Sequence, residues 1–249
     1  MANLLKSKTA VITGANRGIG KKILEEFALN QSNIFACARK KDENFEKYIN
    51  DLSNKFNVKI KPVYFDFENR EEMIDQTKDI ILKEDKIDIL VNNASSIETS
   101  LFEMTKISNM KKIFDINYFN QVEFSQLIVK KLKKSSSGSI INISSTSARD
   151  GNIGRLSYAS SKGAIETFTK VLANELARYK IRVNSISPGP TNTRMMNENT
   201  PNQLAEKIKE NIPMKRFAEV EDIANVALFL SSDMSIYITG QNLRVAGGM

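Results

Sequence analysis

The chain has 249 residues, 41% of them hydrophobic and 26% charged, with a formal net charge of +7, one cysteine and no histidine. These proportions suit an ordinary globular protein, and the length suits one large α/β domain with a sizeable core. The absence of histidine excludes a Ser-His-Asp triad, a Cys-His pair and a His-based zinc site, so any acid or base is Asp, Glu, Lys, Tyr or Cys37, and no metal site is expected.

No apolar run approaches the ~20 residues of a membrane helix. The opening MANLLKSKTAVIT reads as the approach to a strand rather than a signal peptide. A lone Cys37 rules out an internal disulfide and fits a reducing compartment, so a cytoplasmic location is expected. The positive charge comes mainly from lysines spread along the chain, which read as solvated helix faces. Clustered arginines with interleaved aromatics, the footprint of a nucleic-acid surface, are not evident.

In chain order, strand-length apolar runs alternate with helical patterns. The runs are KTAVIT (8–13), NIFACA (33–38), VKIKPVYF (58–65), IDILVN (87–92), SIINIS (139–144), IRVNSIS (181–187) and NLRV (242–245). Helices are predicted at 18–31, where Ile19, Ile23 and Phe27 share a face, and near 43–56, 69–84, 104–134, 157–179 and 219–231. Apolar strands alternating with helices predict a Rossmann-type doubly wound parallel sheet of about seven strands with helices on both faces. With no linker or repeat, 1–249 reads as a single domain. Segment 191–211 is polar, contains methionines and lacks core pattern, which makes it a candidate lid over the substrate.

TGANRGIG (13–20) follows the first strand and opens the first helix. Its glycines, spaced G-x3-G-x-G, permit a tight turn and a close approach of backbone to a pyrophosphate at a helix N-terminus. A carboxylate at the end of the second strand would hold a ribose 2′-OH. That strand instead ends in ACARK (36–40), with Ala38 in the acidic position and Arg39 next to it, while Arg17 lies in the glycine turn. Two guanidinium groups there favour a 2′-phosphate, hence NADPH over NADH. Asp66 either accepts from the adenine amino group or caps the helix beginning at Asn69.

SYASSKGAIETF (157–168) puts Tyr158 and Lys162 four apart, on one helical face, amid small residues that let a cofactor and substrate approach closely. A cation ~4 Å from the phenol, at an effective dielectric of ~20, contributes about 4 kcal/mol, enough to lower the phenol's pKa by up to about three units. The tyrosine is then expected to exchange a proton with a carbonyl or alcohol near neutral pH.

With the glycine turn, NNAS (92–95) and INISST (141–146), these motifs make the chain resemble the short-chain dehydrogenase/reductase family from residue 8 to residue 248. Within it the chain is most similar to 3-oxoacyl-[acyl-carrier-protein] reductases and their close relatives. The resemblance implies Tyr158 as catalytic acid/base, Lys162 as its partner and ribose ligand, and Ser145 (with Ser144 the less favoured neighbour) as the serine that orients the substrate oxygen. Asn117, in FDINYFN (114–120), matches the family's asparagine that supports a water chain from Lys162 to solvent. Cofactor contacts are implied for Gly14, Arg17, Ile19 and Gly20, for Asn93, and for Pro188, Gly189 and Thr193 of SPGPTNT (187–193), while Asn92 and Ala94 of the NNA motif map near the adenosine ribose and sheet core. ITGQNLRVAGG (238–248) matches the last strand and a subunit-contact region.

Two departures stand out: Ser95 replaces a usual glycine, and VAGG lacks a common preceding aspartate. The resemblance further implies an NADPH-dependent reductase of a small-molecule or carrier-bound carbonyl, assembled as a homotetramer through the long helices. The basic residues KKLKK (130–134), Arg178 and Lys180 form a candidate docking patch for an acidic carrier. Alternative readings are a reductase or dehydrogenase of a sugar, polyol, steroid or other secondary metabolite, or a non-catalytic dinucleotide sensor.

Overall fold

The computed structural model describes residues 3–249. All seven predicted strands form: β1 (Thr9–Thr13), β2 (Asn33–Ala38), β3 (Ile60–Tyr64), β4 (Ile89–Asn92), β5 (Gly138–Ile143), β6 (Ile181–Pro188) and β7 (Asn242–Val245). They make one parallel sheet in the order β3-β2-β1-β4-β5-β6-β7. β3 is shorter than the predicted 58–65, and its Pro62 is tolerated because it sits on a sheet edge, where a missing N–H costs no internal ladder bond.

Helices α1 (Gly18–Leu29), α2 (Glu43–Phe56) and α10 (Val220–Ser231) cover one face, while α3 (Arg70–Lys83), α5 (Asn120–Leu132) and α7 (Leu156–Leu176) cover the other. Alternation along β1 explains the two cores. Ala10 and Ile12 pack with Ile23, Phe27 and Leu230, whereas Val11 packs with Met73, Phe124 and Ile128 on the opposite face. Among the described residues no helix is long and apolar enough to cross a membrane.

The helix predicted over 104–134 is interrupted. α4 (Ile107–Phe114) and α5 are joined by a π-helical turn at Asp115–Phe119. The widened turn carries Asn117 inward to full burial. Segment 191–211, which lacks core pattern in the sequence, contains α8 (Arg194–Asn199) and α9 (Asn202–Asn211). Proximity of Thr193 to the glycine turn, its Cγ2 within 3.6 Å of where a Gly18 side chain would begin, brings the start of α8 back over the sheet.

Asp66 does not cap α3. Asn69 does so, its Oδ1 accepting from Glu72 N, and Asp66 instead accepts from Glu68 N in the preceding turn. Of the basic residues of the expected patch, Lys133 and Arg178 both stack on Tyr179. They lie where α5 ends and β6 begins, at the amino edge of the sheet. This is the opposite edge from the cavity described next, so the patch does not border the chain's own cavity.

Candidate active site

A cavity of about 1190 Å³ opens across the carboxyl ends of the strands, lined by Thr13, Cys37, Ala38, Asn93, Ser145 and Pro188 among others. It lies where the order of strands reverses between β1 and β4, the place an open α/β sheet leaves a crevice. One half is walled by the glycine turn and the Arg39 loop, the other by Tyr158, the 95–99 loop, α8 and α9.

The glycine half is built for close backbone approach. Gly14 has φ +66°, and a side chain on it would sit 2.8 Å from Asn93 Nδ2. A Cβ on Gly20 would run into the Gly14 carbonyl oxygen, so α1 can press against the turn only with glycine there. Asn93 fastens the turn from across the crevice, donating to the carbonyls of Thr13 (2.9 Å) and Gly14 (3.2 Å). Buried Thr13 accepts from the N–H groups of Asn93 and Ala94. Whereas Asp42 caps α2 and Asn69 caps α3, no side chain caps α1. Its first N–H groups face the crevice unpaired by side chains, an arrangement that suits an anionic group.

Arg17, Ile19, Arg39 and Asp66 all line this half, with the Arg39 and Asp66 side chains 3.9 Å apart. Pro188, Gly189 and Thr193 line the middle of the crevice. A Cβ on Gly189 would be 3.0 Å from Ala246, so glycine lets the β6 loop pass the C-terminal segment.

α7 supplies the other half. Its inward face carries Tyr158, Ser161, Lys162 and Ile165 at helical spacing. Lys162 Nζ donates to the Ile143 carbonyl at 2.7 Å and lies 5.7 Å from the Tyr158 ring centroid. The expected lowering of the phenol by Lys162 does not occur. Burial pushes the Tyr158 pKa up, opposed by a hydrogen bond with Ser145 and by the charge of Arg155. Burial also brings Lys162 down to about 7, so its ammonium is itself costly in this setting and turns to a carbonyl.

The two serines at the end of β5 part ways. Ser145 faces the phenol, and Ser144 donates to the Lys162 carbonyl on the far side. Asn117 accepts from Ser96 N (2.8 Å) and donates to Ser96 O (2.9 Å) and Ser161 Oγ (3.0 Å), tying the 95–97 loop to α7. Ser95 lines the cavity.

Sequence reasoning missed Thr13, the clamp of the turn, and Arg155, whose charge acts on the phenol. Thr13 carries no signal beyond ending a strand. Arg155 lies three residues before Tyr158, a spacing that puts both at one helix end.

Residues 14–249 match a family model described as Enoyl-(Acyl carrier protein) reductase. The chain is 34% identical over 248 residues to the 3-oxoacyl-[acyl-carrier-protein] reductase FabG of Aquifex aeolicus, with 98% of each covered. It is also similar to a solved 7α-hydroxysteroid dehydrogenase complexed with NADH and 7-oxo glycochenodeoxycholic acid, at 31% identity and TM-score 0.91, covering 99% of this chain and 96% of that one. The L-sorbose reductase of Gluconobacter frateurii complexed with NADPH and L-sorbose is similar at 27% identity and TM-score 0.90, covering 100% and 98%.

A glycine-lined crevice at the switch point of a parallel sheet, with a tyrosine, a lysine and a serine converging beside it, defines an oxidoreductase. The chain belongs to the short-chain dehydrogenase/reductase family. Its reaction class is the interconversion of CH–OH and C=O groups.

Proposed function

We propose that the chain reduces a 3-oxoacyl thioester carried on acyl carrier protein to the 3-hydroxyacyl form, with NADPH as reductant. The observation that carries the substrate reading is the run of apolar side chains in the substrate half: Ile97, Ile153, Met195, Met196, Leu204 and Ile208 offer an acyl chain contact. The similarity to FabG over nearly the whole chain supports the same substrate.

The crevice fits a dinucleotide because its glycines admit no side chains and α1 presents uncapped N–H groups. Gly14, Arg17, Ile19 and Gly20 would hold the pyrophosphate, Arg39 with Arg17 the 2′-phosphate, Asp66 the adenine, and Asn93 the turn beside the adenosine ribose. Pro188, Gly189 and Thr193 would flank the nicotinamide, and Lys162 its ribose. When bound, NADPH supplies the hydride for the carbonyl carbon.

Tyr158 gives its phenolic proton to the carbonyl oxygen, and Ser145 orients that oxygen by hydrogen bonding. A phenol whose pKa burial has raised stays protonated at neutral pH, the state a reduction needs. Asn117 holds the loop beside the site and supports proton return to Lys162. Segment 191–211 acts as the lid of a single domain spanning 1–249.

The assembly we infer is a homotetramer, for which exposed Phe102, Met104, Ile107, Phe119 and Val171 along the two long helical regions offer apolar surface. Buried free Cys37 suits a cytoplasmic protein.

The test is loss of reduced-nicotinamide absorbance with acetoacetyl thioesters, sugars and ketosteroids, with NADPH and NADH in parallel. Turnover of the thioester with NADPH is expected. Preference for a sugar or a steroid overturns the substrate, and NADPH binding with no turnover of any carbonyl points to a sensor. Sedimentation as a monomer overturns the assembly.

A further inference from the structure

We propose that Arg155 is a positioning residue that clamps α8 over the substrate half of the cavity, in the wall it shares with Tyr158. Arg155 precedes α7 and is half-buried in the cavity wall. One of its terminal nitrogens donates to Thr99 Oγ1 in the loop after β4, and the other donates to the Asn199 carbonyl at 2.8 Å. One planar fork therefore joins three segments that are far apart in sequence.

The acceptor on α8 is suited to a cation. Asn199 is the last residue of that helix, and its carbonyl belongs to the end that carries partial negative charge and lacks a helical partner. The Asn199 side chain turns back to Met195 O at 2.9 Å, so it does not compete for the guanidinium. The base of the clamp is held by backbone. Gly154, at φ +75°, accepts from Ser100 N at 3.0 Å, and a side chain on it would press within 3.3 Å of Thr99 Cγ2. Arg155 thus emerges at a defined height beside Thr99.

From there its charge favours the deprotonated phenol, a role the sequence had pointed to for Lys162. The other charged groups at this end include Lys162 on α7, Glu98 after β4, Asp150 on α6 (Ser147–Asp150), Arg194 on α8, the Arg149–Glu166 pair that joins α6 to α7, and the C-terminal carboxylate of Met249. Asp150 is paired with Arg244, Arg194 with Glu198, and Glu98 accepts from Asn109 and Ser157. Arg155 is the cation whose charge opposes the upward push of burial on the phenol. Closure of α8 and the acid strength of Tyr158 are coupled through this one side chain.

The phenol half of the proposal rests on the reductase reading, and the clamp half does not. Hydrogen exchange over 191–211 is measured in the wild type, Arg155→Met, Arg155→Lys and Thr99→Val, together with the pH profile of thioester reduction. In Arg155→Met, exchange of the α8 amides speeds up by roughly tenfold or more, the usual consequence of losing a charged hydrogen bond. In the same variant the alkaline limb of kcat/KM moves to higher pH. Arg155→Lys keeps the charge without the fork, so its limb stays while its α8 exchange quickens.

Unchanged exchange in Arg155→Met, or a limb that does not move, overturns the proposal. If that variant does not fold, unchanged exchange in both Arg155→Lys and Thr99→Val overturns it. A wild type that reduces no thioester sinks the substrate reading instead, and the exchange data alone then judge the clamp.

Discussion

Lys162 and Tyr158 share one face of α7, with Nζ 5.7 Å from the phenol ring centroid, but the amine spends its hydrogen bond on the Ile143 carbonyl at 2.7 Å. Both groups are buried, and burial moves them in opposite directions: the phenol up, the ammonium down to about 7. Each is thereby driven toward its neutral form, because desolvation penalises charge of either sign. A neutral phenol is a proton donor.

Folding carries a proton penalty at Lys162. Unfolded, the side chain titrates near its ordinary 10.5; folded, it titrates near 7. Between these values the unfolded chain binds the additional proton, so this group's contribution makes stability rise as pH climbs from 7 toward 10, with the full cost present below 7. Urea unfolding of wild type and Lys162→Met across pH 6–10 is expected to show their difference in unfolding free energy changing in that direction. A difference flat with pH contradicts a neutral buried lysine.

Tyr158→Phe removes the proton donor and keeps the ring's packing. Turnover is expected to fall by about 10²–10⁴-fold, the usual range for one acid/base group, while NADPH still quenches or enhances fluorescence on binding. Steady-state kinetics with a titration of cofactor binding checks both halves. Full turnover in the variant removes Tyr158 from the mechanism.

Arg39→Ala tests the choice of cofactor. Arg39 is exposed at the crevice and only loosely engaged with Asp66, at 3.9 Å, so its loss is expected to leave the fold intact. Loss of a charge-assisted contact to phosphate is expected to raise the Kd for NADPH roughly tenfold or more, with that for NADH little changed. Equal effects on both cofactors would mean that Arg39 does not read the 2′-phosphate.

Gly20→Ala places a methyl group against the Gly14 carbonyl. The turn must open, at about 1–3 kcal/mol if strain of this kind behaves as overpacking elsewhere does. Chemical denaturation measures the loss, and cofactor titration is expected to weaken in parallel. Gly163→Ala, where a side chain meets nothing within 4 Å, is the control expected to be silent on packing grounds.

Asn117→Ala leaves both backbone groups of Ser96 without their partner, a loss of about 1–3 kcal/mol for buried polar groups. Hydrogen exchange is expected to quicken first in residues 95–97. Unchanged protection there would mean that the loop is held by something other than Asn117.

Local spacing alone determined a good deal. Short continuous apolar runs marked seven buried strands, and four-residue spacing put Tyr158 and Lys162 on one face, because both patterns follow from the geometry of a single element. The glycine turn was legible for the same reason: Gly14 and Gly20 are needed by the turn and the helix they belong to.

What the three-dimensional packing decided involves partners remote in the chain. Ser144 and Ser145 are equivalent in sequence, and only the seating of α7 against the end of β5 sends one to the phenol and the other to the Lys162 carbonyl. Asn117 reads as an ordinary helix residue until the π turn swings it onto Ser96. The lysines near 130–134 carry the same charge wherever they lie, but the direction of α5 puts them at the edge away from the cavity. Arg155 and Asn199 meet only because two loops fold back over one sheet edge. The electrostatics were misread for the same cause: charge–charge distance can be guessed from spacing, whereas desolvation depends on every element that covers the site.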